Sequence, residues 1–439
     1  MNVETALEIA EASFRAQTGK SPTDLQKDIF RKALEGKTYE QIAEDCNCNL
    51  SYVKELGSEL WRLLSSALGK TVRKKSFKNV LEEYDHSSPT LPLPEKFPES
   101  AIAPSRQDWG EAPDVSVFYG RTEELTALKQ WIVTDRCRLV ALLGMGGIGK
   151  TSLSVKLAQK IQNDFDFIIW RSLDRTPPIH TVLKDIIRFI CSQEETNLPE
   201  TPSDAISRAI ECLNAHRCLV IIDGVETIME TGLLAGKYRD GYQDYGRFFK
   251  KVGELNHKSC LVLTTSEKSI DISLLENRTR LVRSHKVSGL KNEPAQQILL
   301  ERGLVKEKEW NDFIERYEGN PLALWMISAT IITLFAGKTS DFLRTGTIFI
   351  GGQIEAVLSQ MFERVTDLEI KVMCQLAILN KSVDFNQLRA EISSDISSST
   401  LINALESLSW RSLIETEIGQ DSFRLQPVIR KYVINHYCM

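Results

Sequence analysis

The sequence predicts an α/β fold built on a doubly wound parallel sheet. A helical domain and a winged-helix domain follow it, and a small all-α, helix-turn-helix-like domain precedes it. Three observations predict this. Residues 138–143 (RLVALL) form a short apolar run, residues 144–151 (GMGGIGKT) match GxxxxGK[ST] at every fixed position, and residues 152–162 carry apolar side chains at helical spacing. That order of strand, glycine loop and helix is the setting a phosphate-binding loop requires. Further apolar runs at 165–171, 218–223 and 259–266 alternate with helical patterns, the signature of a parallel sheet. Beyond residue 353, three or four short amphipathic patterns end in a hairpin signal, which together make a winged helix.

The loop comes first because its chemistry is the most specific. Gly144, Gly146, Gly147 and Gly149 let backbone N–H groups turn toward phosphate oxygens. The helix that opens behind them adds partial positive charge. Lys150 is the candidate for the terminal phosphates and the Thr151 hydroxyl for Mg²⁺, with Ile148 and Ser152 completing the loop's contact set. The run 218–223 is an apolar strand ending in Asp223, the form of a Walker B element. A buried acid is costly unless it meets a cation, so Asp223 joins Thr151 as a candidate metal residue. Glu226 follows at close range and is either the group that orients an attacking water or a surface acid. Residues 259–266 supply a fourth strand, where Thr264 or Thr265 can reach a phosphate oxygen.

Composition fits a multidomain globular chain. Its 439 residues are 42% hydrophobic and 26% charged, enough for two to four cores. A net charge of −5 gives no global attraction to nucleic acid or anionic membrane. Nine cysteines without a CxxC pair indicate neither a disulfide framework nor a zinc site, so reduced thiols are expected. The first residues carry acids and no apolar h-region, so no signal peptide and a cytoplasmic setting are expected. The longest apolar run, 321–336, falls short of the ~20 residues that span a bilayer.

Residues 1–84 hold successive amphipathic patterns at 3–16 and 21–34, a third starting at 38–43, and others at 50–68 and 77–84. The middle pair resembles a helix-turn-helix. Thirteen Lys/Arg against thirteen Asp/Glu leave this segment uncharged, with a basic run only at 70–75. DNA readers carry a basic face, so a protein-interaction module is favoured over DNA binding. Trp61 is expected in the core. Residues 85–114 contain six of the chain's fourteen prolines and read as a linker. Its last residues, 107–114, regain aromatic character and point to the next domain.

Val117, Phe118, Tyr119, Gly120, Arg121 and Glu124 give the pattern hhGRxxE ahead of the loop, and residues 318–324 (EGNPLAL) resemble GLPLAL. With the loop and Asp223 these resemble the NB-ARC branch of the STAND signalling NTPases. The resemblance spans about residues 107–437, and residues 1–84 resemble the vWA–MoxR-associated helix-turn-helix module. It implies that residues 117–121 line an adenine pocket and that Pro321 and Leu322 close a helical lid over ADP or ATP. It divides the chain at 115–288 (nucleotide domain), 289–350 (lid) and 351–439 (winged helix), and implies a conformational switch able to self-associate on activation. The alternative is a nucleotide-gated transcription regulator reading DNA through residues 1–84.

Departures are visible. Gly224 stands where a second acid is common, Ser266 lies where a sensor arginine is usual, Gln426 replaces a latch histidine, and Asn320 replaces a leucine superficially. Together they imply at most slow ATP hydrolysis. No internal period of 20–50 residues occurs, so a C-terminal repeat array is not expected.

Overall fold

The computed structural model describes residues 24–34, 37–45, 50–68, 72, 74, 77, 106–191, 199–393, 396–417 and 422–438. The expected helices at 3–16 and 78–84, most of the basic run at 70–75, the proline-rich stretch to 105 and the turn at 419–421 lie outside the described residues. Two compact units emerge, Met1–Ala101 and Ile102–Met439.

In the first unit, α1 (Asp24–Leu34), α2 (Tyr39–Asp45) and α3 (Leu50–Leu68) enclose a small core. Ile29, Phe30, Ile42, Val53, Leu60, Leu64 and Phe77 are buried in it. Trp61 is buried as expected: its ring lies 4.9 Å from that of Phe77, and its Nε1 donates to the Tyr39 hydroxyl at 2.7 Å. On the candidate recognition helix α3, Lys54 is tied to Glu40 of α2 at 3.2 Å.

The second unit holds a six-stranded, all-parallel sheet in the order β1-β3-β4-β5-β2-β6. The strands are β1 (Arg106–Asp108), β2 (Leu139–Leu143), β3 (Phe167–Ser172), β4 (Cys218–Asp223), β5 (Cys260–Thr265) and β6 (Val282–Lys286). Alternation along each strand builds two cores. Leu139, Ala141, Ile169, Val220 and Leu263 face one helical layer, and Val140, Leu142, Ile168, Ile221 and Val262 face the other. Both faces are therefore covered, as an all-parallel sheet requires. The helices are α4 (Thr122–Lys129, continued by a π-turn to Thr134), α5 (Lys150–Ile161), α6 (Ile179–Ile190), α7 (Pro202–Ala215), α8 (Gln243–Glu254) and α9 (Ile270–Arg278). Strand β1 is new relative to the sequence reading. It lies inside the stretch read as linker and pairs Gln107 with Ile168, covering the edge of β3.

The remainder of this unit is helical and shares one continuous core. It comprises α10 (Asn292–Glu301), α11 (Trp310–Arg316), α12 (Pro321–Phe335), α13 (Thr339–Arg344), α14 (Gly352–Phe362), α15 (Asp367–Leu379), α16 (Phe385–Glu391), α17 (Ser398–Trp410) and α18 (Pro427–His436). A small antiparallel sheet, β7 (Val383–Asp384), β8 (Glu415–Glu417) and β9 (Ser422–Arg424) in the order β7-β9-β8, sits among the last helices. The hairpin expected there is formed by β8 and β9, and Leu413 and Ile414 ahead of it are buried.

Candidate nucleotide site

The loop leaves β2 and enters α5 as the sequence predicts. Gly149 caps α5 at φ +96°, a left-handed conformation that favours glycine. The strand order inserts β5 between the loop's strand and β4, which fixes the partner of the Walker-type acid. Asp223 Oδ1 accepts hydrogen bonds from the Thr151 hydroxyl at 2.7 Å and the Thr264 hydroxyl at 2.5 Å. The neighbouring Thr265 does not face the loop. Its hydroxyl donates to the Glu267 carbonyl at 2.7 Å and accepts from the Glu267 N–H at 3.1 Å. Adjacent strand residues point to opposite faces, so of the two candidate threonines it is Thr264 whose hydroxyl meets Asp223.

Charge is concentrated at this point. Asp223 is buried, and burial pushes its carboxyl above the ordinary range, opposed by the two hydroxyls. Lys150 is also buried, which pushes its ammonium below its ordinary value, while Glu226 and Asp223 act the other way. Its Nζ donates to the carbonyls of Gly144 at 2.8 Å and Met145 at 3.1 Å. Glu226 is no plain surface acid: its Oε2 is buried without a hydrogen-bond partner. Gly224 adopts φ +77°, and its N–H donates to the Thr264 hydroxyl at 3.1 Å. A Cβ at this position would stand 3.1 Å from Asp174 Oδ1, in a conformation that favours glycine.

A cavity of about 560 Å³ opens over the loop. Gly147, Ile148, Gly149, Lys150, Thr151 and Ser152 form one end, and Val117, Phe118, Tyr119 and Arg121 line it further on, with Pro321 and Leu322 from α12. Gly120, Gly144 and Gly146 lie outside this lining. A Cβ on Gly120 would stand 2.7 Å from Pro294, and one on Gly146 would stand 2.6 Å from Val357. Arg121 is a bracket more than a ligand group. Its guanidinium donates to the Ile148 carbonyl at 2.8 Å and the Ser288 carbonyl at 2.6 Å, and pairs with Glu124 at 2.9 Å. The sequence reading missed Ile298, Glu301 and Trp325, which also line the cavity. Trp325 stands one helical turn past Pro321, a spacing that could have flagged it. Glu301 accepts from the Tyr119 hydroxyl at 2.9 Å.

Helix α12 touches the loop directly. Asn320 caps α12, its side chain accepting from the Leu322 and Ala323 N–H groups at 3.1 and 3.2 Å. Its Nδ2 also donates to the Gly146 carbonyl at 3.3 Å. Replacing leucine with Asn320 is therefore a buried, working change and not a superficial one. Gln426 lines a second cavity, of about 410 Å³, with Gly144 and Met145, and donates to Glu415 at 3.0 Å.

Behind the site, the residue after Ser266 anchors a buried ionic cluster. Glu267 accepts from Arg364 Nη2 at 2.9 Å and Nε at 3.1 Å, and lies 3.4 Å from Arg411 Nε. Arg411 in turn pairs with Glu369 at 3.1 Å, and Glu267, Arg411 and Glu369 are all almost fully buried.

Thr151 and Asp223 fit a hard cation. Among the described residues no group of three His, Cys, Asp or Glu is placed to hold a metal, so these two would share one with phosphate oxygens and water. Among the same residues no helix is long and apolar enough to cross a membrane.

Two family models match the chain. Residues 1–84 match the vWA-MoxR associated protein N-terminal HTH, and residues 121–235 match the NB-ARC domain. An uncharacterized WD repeat-containing protein of Nostoc sp., alr2800, is 42% identical over 342 residues, covering 75% of this chain and 27% of that protein. The chain thus spans about a quarter of that relative's length. The disease resistance protein RPM1 of Arabidopsis thaliana is 30% identical over 102 residues, 22% of this chain and 11% of that one. Among solved structures, a Walker-type ATPase of Pyrococcus abyssi aligns over 72% of this chain and 96% of its own, with 16% identity and a TM-score of 0.48. This chain carries an NB-ARC domain behind an N-terminal HTH domain of the vWA-MoxR-associated kind.

Proposed function

We propose that this protein is a signalling switch of the NB-ARC/STAND type that holds ADP or ATP between its α/β domain (115–288), lid (289–350) and winged-helix domain (351–439). One observation carries the reading: the cavity walls come from both the phosphate loop and the lid, joined where Asn320 and Leu322 reach the loop carbonyls. A ligand there bears on how the domains pack. When bound, Mg²⁺ would neutralise phosphate charge beside Thr151 and Asp223. Lys150 supplies the mobile positive charge by leaving the Gly144 and Met145 carbonyls, which are weak competitors for an ammonium against a phosphate. Taking two packings from 1:99 to 99:1 needs roughly 5.5 kcal/mol of differential binding.

The unpaired Glu226 oxygen supports water activation, whereas Gly224 and Ser266 favour slow turnover, so the protein is a holder first and at most a slow ATPase. Residues 1–84 serve as a protein-interaction module, self-association accompanies activation, and the setting is cytoplasmic. To test the central claim, the purified protein is denatured and the released nucleotide identified. Finding none, together with no ADP affinity, would sink it. The second reading, a nucleotide-gated transcription regulator, rests on the HTH match at residues 1–84. It requires duplex binding that weakens steeply with salt. The balanced charge of that segment and the Lys54–Glu40 pair weigh against it.

A further inference from the structure

Two cysteines that play no part in the nucleotide site face each other across α6 and α7. Cys191 is the C-cap of α6, its N–H donating to the Ile187 carbonyl at 2.9 Å, and it is half-buried. Cys212 lies inside α7 and is buried. Their sulfur atoms are 3.4 Å apart, against about 2.05 Å in a disulfide. Arg208, one turn before Cys212, brings Nη2 to 3.9 Å from the Cys191 sulfur while also pairing with Glu211 at 2.9 Å. The guanidinium thus stands beside the half-buried sulfur, the more accessible of the two.

We propose that Cys191 and Cys212 are a reversible, peroxide-responsive dithiol, with Cys191 as the attacking thiolate and Cys212 as the resolving thiol. The Cys191 thiolate attacks one peroxide oxygen and the O–O bond breaks. With one proton this yields Cys191 sulfenic acid and one water. The Cys212 sulfur then attacks the sulfenic sulfur, the S–O bond breaks, and the hydroxyl leaves with the Cys212 proton as a second water. Two thiols are oxidised to one disulfide and one peroxide is reduced to two waters. A dithiol reductant reverses the bond by exchange.

The other described thiols are poorer candidates. Burial pushes those of Cys137 and Cys260 up and that of Cys218 up to about 12. Burial and the adjacent Cys438 thiol do the same to Cys374, also to about 12. Neither Cys191 nor Cys212 lines the nucleotide cavity, so this inference stands or falls separately from nucleotide binding.

The test uses the full-length protein and hydrogen peroxide. After stoichiometric exposure, free thiols are alkylated and the protein is mapped by mass spectrometry, without and with dithiothreitol. The expected result is a Cys191–Cys212 cross-linked peptide that reductant abolishes. Cys212→Ser should instead accumulate a sulfenic acid at Cys191, trapped by dimedone roughly tenfold above the wild-type level, because the resolving thiol is gone. Cys191→Ser should leave Cys212 reduced. Recovery of both residues as free thiols, or of irreversibly oxidised Cys191 beside a free Cys212, would overturn the proposal. So would a Cys374–Cys438 bond that forms first.

Discussion

Replacing Glu267 with Gln isolates the ionic cluster behind the nucleotide site. The substitution keeps the side chain's shape and removes its charge. Arg364 and Arg411, with side chains only 13% and 3% exposed, then lose the carboxylate they share, leaving Arg411 with the Glu369 carboxylate and the Arg364 and Leu233 carbonyls. Removing one partner of a buried pair costs about 3–5 kcal/mol. Arg364 is the more exposed of the two and recovers some hydration, so the lower figure applies. About 3 kcal/mol corresponds to roughly a 150-fold shift toward opening between the sheet and the segments after α14 and α17 that carry Arg364 and Arg411. Hydrogen exchange read on α8–α9 and α14–α17, together with the ADP release rate, reports this directly. Glu123→Gln is the control. It breaks the Glu123–Lys291 pair, whose side chains are 78% and 75% exposed, and such a pair is worth about 0–1 kcal/mol. If Glu267→Gln exchanges and releases ADP like Glu123→Gln, the cluster does not hold the packing and the reasoning is wrong.

Three further outcomes are expected. Lys150→Ala removes the loop's ammonium and should abolish retention of ADP through purification while the ligand-free protein still folds; retained ADP would be inconsistent with the site. Asp223→Asn should raise the melting temperature of the ligand-free protein at neutral pH, because burial disfavours the carboxylate there, while making nucleotide affinity insensitive to Mg²⁺. A lower melting temperature would show that the charge is already compensated. Glu318, pushed up to about 7 by burial and by Glu415, against Arg424 and Lys286, keeps its proton in the folded state where the unfolded chain has released it. Its contribution is therefore fully present below about pH 4.5 and is lost as pH rises through about 7. Glu318→Gln should flatten the stability profile across that window, and an unchanged slope there would refute the assignment.

The loop, Asp223 and four of the sheet strands were legible because each is a local pattern: fixed glycines, or an apolar run of strand length. Four helices between residues 352 and 410 were legible for the same reason, their ends agreeing within two residues, whereas Pro427–His436 was not read. What escaped depended on partners far away in sequence. Strand β1 is three polar residues whose only strand character comes from pairing with β3. The choice between Thr264 and Thr265 turned on which face of β5 meets Asp223, and that follows from strand order. Asn320 looked incidental until its amide was seen to serve both its own helix and the loop. The cluster of Glu267, Arg364, Arg411 and Glu369 draws on segments up to 144 positions apart, which no window of sequence displays.

The pairing of β1 with β3 has a practical consequence for dissecting this protein. A fragment beginning at residue 115, where the compositional shift suggests a cut, would discard Arg106–Asp108 and bare the outer edge of Phe167–Ile169. Unpaired strand edges recruit other chains. Clustering of such a fragment would then report a severed sheet edge and could be mistaken for activation, so truncations meant to measure assembly should keep residue 106 and what precedes it.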